Sequence, residues 1–81
     1  MTFADLHEKF VAHLRERVRS GELTERGIAR ISGVSQPHVH NVLKGKRVLS
    51  QEMCDEILLH LRMDLLDLVT PDDLVEWRRR K

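Results

Sequence analysis

The chain has 81 residues, of which 41% are hydrophobic, 33% are charged and 4% are aromatic. A chain of this length has room for one small domain, which buries only about 60% of the surface that its unfolded form exposes. It has one cysteine, no recognisable secretory leader and no apolar run of membrane-spanning length, which excludes an intramolecular disulfide and predicts a cytoplasmic protein without a membrane partner.

The net charge of +1 hides a segregation of sign along the chain. Residues 26–47 contain five basic and no acidic residues, whereas residues 48–76 contain one basic and eight acidic residues. A basic block of this kind is the electrostatic footprint expected of a surface that binds nucleic acid. Few aromatic residues and no alternating β-branched run argue against a sheet, so the expected fold is all-α.

The first predicted element is a helix over about residues 3–19. Residues 2–5 have the form of a capping box, and Ser20-Gly21 is typical of a helix end. Apolar side chains recur between them at helical spacing, at Phe3, Leu6, Phe10, Leu14 and Val18. Arginines occupy positions 15, 17 and 19, near the negative end of the helix dipole. We interpret them as solvated, with contacts to DNA phosphates as the alternative.

Residues 23–45 have the pattern of a helix-turn-helix. Two short apolar-periodic segments, 24–31 and 35–43, are separated by Ser32-Gly33-Val34, and so short a turn makes two helices cross steeply. Thr24 and Ser35 are well placed as N-caps, because their hydroxyls can accept hydrogen bonds from otherwise unpaired amides. Gly33 is expected to leave the first helix in the left-handed conformation, and Gly45 is expected to end the second.

The second segment has one apolar and one polar arc. At about 100° per residue from Gln36, the side chains of Val39, Val42 and Leu43 fall between about 240° and 340°. The polar arc, between about 0° and 140°, holds Gln36, Pro37, His40, Asn41 and Lys44. Amides can pair with adenine and a proline ring can pack on a thymine methyl group. We therefore predict base contacts from Gln36, Pro37, His40 and Asn41, with a merely solvated surface as the alternative.

His38 falls near 200° on the same wheel, at the edge of the apolar arc, where packing at the core edge or a phosphate contact suits it better than base reading. Lys44, Lys46 and Arg47 surround Gly45 in the loop after this segment. A cation cluster there predicts contacts with phosphates rather than with bases. The predicted phosphate contacts are Thr24, Ser35, His38, Lys44, Lys46 and Arg47.

Several of these positions resemble those of the Cro/phage-repressor (XRE-type) helix-turn-helix family. The matching residues are Ala29, Gly33-Val34-Ser35, Gln36-Pro37, Val39 and residues 43–45. The resemblance implies a lambda-repressor-like bundle of five to six helices, a second helix that enters the major groove, and a following loop along the DNA backbone. The chain departs from the family at Glu25, where a phosphate-contacting Gln is frequent, and at Gly27, where an acidic residue frequently completes a capping box.

The acidic part of the chain predicts three further elements. Ser50 is the expected N-cap of a fourth helix, whose apolar stripe includes Cys54 as a small core side chain. Asp64 is expected to cap a short apolar helix containing Leu65, Leu66, Leu68 and Val69. Thr70-Pro71-Asp72-Asp73 predicts a last helix, with Leu74 and Trp77 on one face. We divide the chain into a helix-turn-helix domain, 1–70, and a C-terminal helix with a basic tail, 71–81. The tail either ends the protein or leads into a longer regulator.

A metal site at His38 and His40 fails on geometry, because residues two apart point to nearly opposite sides of a helix. No nucleophile motif, phosphate-binding loop or cluster of Cys and His residues is found in the sequence. We therefore expect no enzyme activity, no bound metal and no cofactor.

The predicted function is sequence-specific binding of double-stranded DNA as a transcriptional regulator, with the helix over about 35–44 in the major groove. The alternative is a protein-interaction module, such as an antitoxin-like partner binder, which could use residues 64–77. One such helix reads few base pairs, so we expect a homodimer on a palindromic site. The expected dimer contact is formed by Leu65, Leu66, Leu68, Val69, Leu74 and Trp77.

Overall fold

The computed structural model describes residues 2–79, except for the side chains of Leu65, Leu66 and Trp77. Five α-helices follow one another in this part of the chain: α1 Phe3–Ser20, α2 Glu25–Ser32, α3 Gln36–Leu43, α4 Gln51–His60 and α5 Pro71–Arg79. A short 3₁₀ helix, Leu65–Leu68, lies between α4 and α5. The prediction of a small all-α bundle is confirmed, and no strand forms among residues 2–79.

The predicted N-caps begin their helices through the expected hydrogen bonds. The Thr24 hydroxyl accepts from the Gly27 amide at 2.9 Å, and the Ser35 hydroxyl accepts from the His38 amide at 3.3 Å. Ser50 caps α4 in the same way. Because Gly27 has no side chain, α2 lacks the return bond that would complete a capping box. Four predicted helix starts are thus explained by interactions within a few residues, including the capping box at Thr2.

The core lies where α1, α2, α3 and α4 face one another. Its buried side chains are those of Phe10, Val11, Leu14, Ile28, Val39, Val42, Leu43, Leu49, Ile57, Leu58 and Leu68. Helix α2 packs against both α3 and α4, while α1 packs against α3 and the 3₁₀ helix. The expectation that the apolar arc of α3 faces the core is therefore correct.

The prediction for Leu68 is wrong. We predicted that it belongs to an exposed dimer contact, but the 3₁₀ helix packs on α1 and leaves Leu68 only 8% exposed. Val69 is half-buried, whereas Leu74 is exposed. The other members of that predicted contact, the side chains of Leu65, Leu66 and Trp77, lie outside the described part. None of the helices formed by residues 2–79 is long and apolar enough to cross a membrane.

Candidate nucleic-acid interface

Helix α3 turns its polar arc away from the core. Val39 and Val42 are almost fully buried, and this fixes the rotation of α3 about its own axis. Gln36, Pro37 and His40 are exposed as a result, and Asn41 is half-exposed. These four residues, together with Glu25, line one shallow depression of about 380 Å³ on the surface. The structure thus brings the four predicted base-contacting residues together and adds a carboxylate that was not among them.

The turn between α2 and α3 explains how so short a connection is made. Gly33 has φ +78°, in the left-handed region, and its amide bonds to the Ala29 carbonyl at 2.9 Å. A side chain at this φ would be strained, so glycine lets the chain leave α2 abruptly. Pro37 lies in the first turn of α3, where its missing amide hydrogen costs no helical bond. Local sequence therefore sets the separation of the two helices.

Glu25 and His40 connect the two helices across the depression. The Oε2 atom of Glu25 lies 2.9 Å from Nδ1 of His40. Glu25 is in the first turn of α2, where the helix dipole favours a negative charge. The sequence marks Glu25 only as a departure from the Cro/phage-repressor pattern. It gives no sign of the partner, because the two residues are 15 positions apart and share no helix.

The loop after α3 presents cations to solvent. Lys44, Lys46 and Arg47 are all exposed. Gly45, at φ +79°, reverses the chain, and the Lys46 amide bonds back to the Asn41 carbonyl at 2.8 Å. Neither the three ion pairs between Lys or Arg and Glu or Asp nor the Glu25–His40 contact found among residues 2–79 involves these three cations. Their charges therefore remain available to a polyanion.

Two side chains of α1 fix the two ends of this loop through long-range hydrogen bonds. Arg15 donates to the Leu43 carbonyl at the end of α3, and Nε2 of His7 accepts from the Leu49 amide at 3.1 Å. Arg15 is exposed, as expected, and its guanidinium also bonds the end of α3, a contact that the sequence did not predict. The other two arginines of that group form ion pairs with Glu22 and Glu16, at 3.7 and 2.7 Å.

The remaining predicted phosphate contacts differ in how accessible they are. Thr24 and Ser35 are exposed, and a hydroxyl that accepts a capping bond still has its hydrogen to donate. His38 is half-buried, and its Nε2 is enclosed with no hydrogen-bond partner among residues 2–79. An enclosed nitrogen cannot reach a phosphate without a movement of the side chain, so the position of His38 favours the core-edge alternative.

Cys54 is half-buried against the core on α4. Burial raises the pKa of its thiol, and the neighbouring Asp55 carboxylate raises it further. The thiol therefore stays protonated at neutral pH, which agrees with its interpretation as a small packing side chain. Within residues 2–79, no three His, Cys, Asp or Glu side chains come together in an arrangement suited to a metal ion.

Comparisons with known proteins do not identify a family. No protein-family model matches the chain, and no curated protein or solved structure matches it significantly.

Proposed function

We propose that this chain is a transcriptional regulator that binds double-stranded DNA sequence-specifically in the manner of Cro/phage-repressor (XRE-type) proteins. One observation supports this most strongly: Gln36, Pro37, His40 and Asn41 line a single depression on the exposed face of α3. Such a function belongs in the cytoplasm, where the protein meets DNA. No enzyme activity forms part of the proposal.

The dimensions and chemistry of α3 suit the major groove. The groove is about 12 Å wide and admits one α-helix, and its base edges carry the hydrogen-bonding pattern that distinguishes the four base pairs. Gln36 and Asn41 offer amides that can pair with adenine, and the ring of Pro37 can pack against a thymine methyl group. His40 lies one helical turn after Gln36, so the two side chains point into the same part of the groove.

The basic loop supplies the sequence-independent part of the binding. Lys44, Lys46 and Arg47 follow α3 directly and are exposed. Contacts with phosphates would release condensed counterions and would fix the register of α3 in the groove. Thr24 and Ser35, at the N-termini of the two helices, add hydroxyl donors for phosphates on the same face.

The experiment is a selection of preferred sites from random duplex DNA, followed by mobility shifts on the selected site. Gln36→Ala should relax the preference at one base pair per half-site by about 1–3 kcal/mol. Gln51→Ala is a matched control, because Gln51 is an exposed glutamine in the first turn of another helix, α4. A parent protein that yields no preferred sequence would contradict the proposal. An unchanged preference in Gln36→Ala would show that Gln36 does not contact a base.

A homodimer on a palindromic site remains part of the proposal, since two recognition helices about 34–36 Å apart give the selectivity that one lacks. Of the predicted contact residues, Leu74 is 43% exposed on α5, and the adjacent Val75 is 48% exposed. Sedimentation of the protein–DNA complex should show two protomers for the parent and weaker binding of the second protomer for Leu74→Asp and Val75→Asp. Equal binding of the second protomer in both variants would exclude this surface.

A further inference from the structure

We propose that Glu25 sets the base preference of His40 by fixing its tautomer, so that His40 favours adenine or cytosine. The inference rests on the proposed function, in which α3 lies in the major groove. It assigns Glu25 as a positioning residue that selects which hydrogen-bonding atom His40 presents to a base.

The backbone of Glu25 belongs to a helix that is fixed at its start and on its buried face. Its helix is capped by Thr24 and is fastened to the core through Ile28, which is 1% exposed. The side chain of Glu25 is 28% exposed, whereas that of His40 is 48% exposed. The pair is therefore anchored at its carboxylate end, and the imidazole lies closer to solvent, where a base edge would arrive.

The hydrogen bond determines where the imidazole proton lies. An ionised carboxylate can only accept, so the 2.9 Å contact with Oε2 requires that Nδ1 of His40 carries a hydrogen. In the neutral ring, the other nitrogen, Nε2, then has a lone pair and no hydrogen. In this neutral form, His40 presents a hydrogen-bond acceptor to the groove.

The major-groove code converts this acceptor into a base preference. Only adenine N6 and cytosine N4 donate hydrogen bonds there, whereas guanine offers N7 and O6 and thymine offers O4, all acceptors. A neutral imidazole held in this tautomer can bond to adenine or cytosine but meets only acceptors on guanine or thymine. Without Glu25, either tautomer could form, and the discrimination between the two classes of base would be lost.

The first test measures the tautomer in the free protein. Nitrogen-15 NMR of the His40 imidazole at about pH 8.5, where histidine side chains in general are neutral, should place the hydrogen on Nδ1 in the parent. Glu25→Ala should shift the ring toward the Nε2–H form. Glu52→Ala is the matched control, because Glu52 is also a glutamate in the first turn of a Ser- or Thr-capped helix. A tautomer that is the same in the parent and Glu25→Ala would overturn the proposal, whatever the DNA experiments give.

The second test measures base preference in competition mobility shifts on sites that differ at one position. The parent should favour adenine or cytosine over guanine or thymine by about three- to tenfold, the value of one net hydrogen bond. Glu25→Ala and His40→Ala should each abolish this preference at that position and should leave the preference at the base pair read by Gln36 unchanged. The double variant should show the same loss of preference as either single variant. Total affinity is not the readout, because removing a carboxylate also strengthens attraction to phosphates.

The outcomes separate the two proposals. No binding of duplex DNA by the parent would contradict the proposed function, and with it this assignment. Binding in which the parent favours guanine or thymine at the His40 position, or in which Glu25→Ala keeps the parent's preference, would leave the proposed function intact and would overturn the role of Glu25.

Discussion

The guanidinium of Arg15 donates two hydrogen bonds to the carbonyl oxygen of Leu43, from Nε at 3.0 Å and from Nη2 at 2.8 Å. Leu43 is the last residue of α3, and a carbonyl there has no partner within its own helix. The charge of Arg15 also lies at the negative end of the α3 dipole. Helix α1 thereby fixes the end of α3 from which the basic loop departs.

Arg15→Ala should lower the free energy of unfolding by about 1–2 kcal/mol, because it leaves the Leu43 carbonyl without its charged donor at a partly exposed site. Arg15→Lys should recover part of this loss through a single ammonium. Arg19→Ala is the control, since Arg19 only pairs with Glu16 on the surface of the same helix and should cost a few tenths of a kcal/mol. Urea denaturation measures all three variants, and equal losses for Arg15→Ala and Arg19→Ala would contradict the role of Arg15.

The basic loop should determine the salt dependence of DNA binding. Each of Lys46→Ala and Arg47→Ala should weaken binding to all sequences alike and should flatten the slope of log affinity against log salt by about 0.9, the release of one counterion. Arg62→Ala removes the one cation of the acidic segment 48–76 and should leave the slope unchanged. A variant of the loop with the parent's slope would show that the substituted residue does not contact phosphate.

Arg62 carries a local strain at the end of α4. It has φ +54°, and it is the one residue other than glycine with a positive φ among residues 2–79. The left-handed conformation costs a residue with Cβ about 1–2 kcal/mol. Glycine avoids this cost, but it also raises the conformational entropy of the unfolded chain, which offsets part of the gain in stability. Arg62→Gly should therefore stabilise the fold by about 0.5–1 kcal/mol, and Arg62→Ala should not. Thermal unfolding decides this, and a glycine variant no more stable than the alanine variant would contradict it.

Asp73 should make the attachment of α5 to α1 depend on pH. The ammonium of Lys9 donates to its carboxylate at 2.9 Å, and this bond, with those to Thr70, holds the pKa of Asp73 below its usual range. A lowered pKa in the folded state means that the stabilisation is present above the unfolded value of about 3.9 and disappears as pH falls through the folded value.

Asp73→Asn should consequently increase amide hydrogen exchange in α5 at neutral pH, and the difference from the parent should disappear as acid protonates the carboxylate of the parent. Asp72→Asn is the matched control, since Asp72 is an exposed acid in the same first turn. Equal exchange rates in the parent and Asp73→Asn at neutral pH would show that the carboxylate does not hold α5 in place.

Sequence alone determined the features that depend on neighbouring residues. Helix starts at Thr24 and Ser35 follow from hydroxyls that bond amides three positions away, and the exit at Gly33 follows from its freedom to adopt a positive φ. The outward face of α3 follows from the spacing of Val39 and Val42, because periodicity fixes which side of a helix is apolar. The grouping of the predicted base-contacting residues was accordingly predictable, while their contact with DNA stays a prediction.

Tertiary structure decided the relationships between residues far apart in the chain. Arg15 and Leu43 are 28 positions apart, and Glu25 and His40 are 15 apart, so their pairing depends on how whole helices pack. Leu68 shows the same limit of prediction from sequence. Its apolar run predicted an exposed dimer contact, whereas in the fold the 3₁₀ helix packs on α1 and Leu68 is buried. Propensity and periodicity act over a few residues, whereas these pairs form only when α1, α2 and α3 meet around the common core.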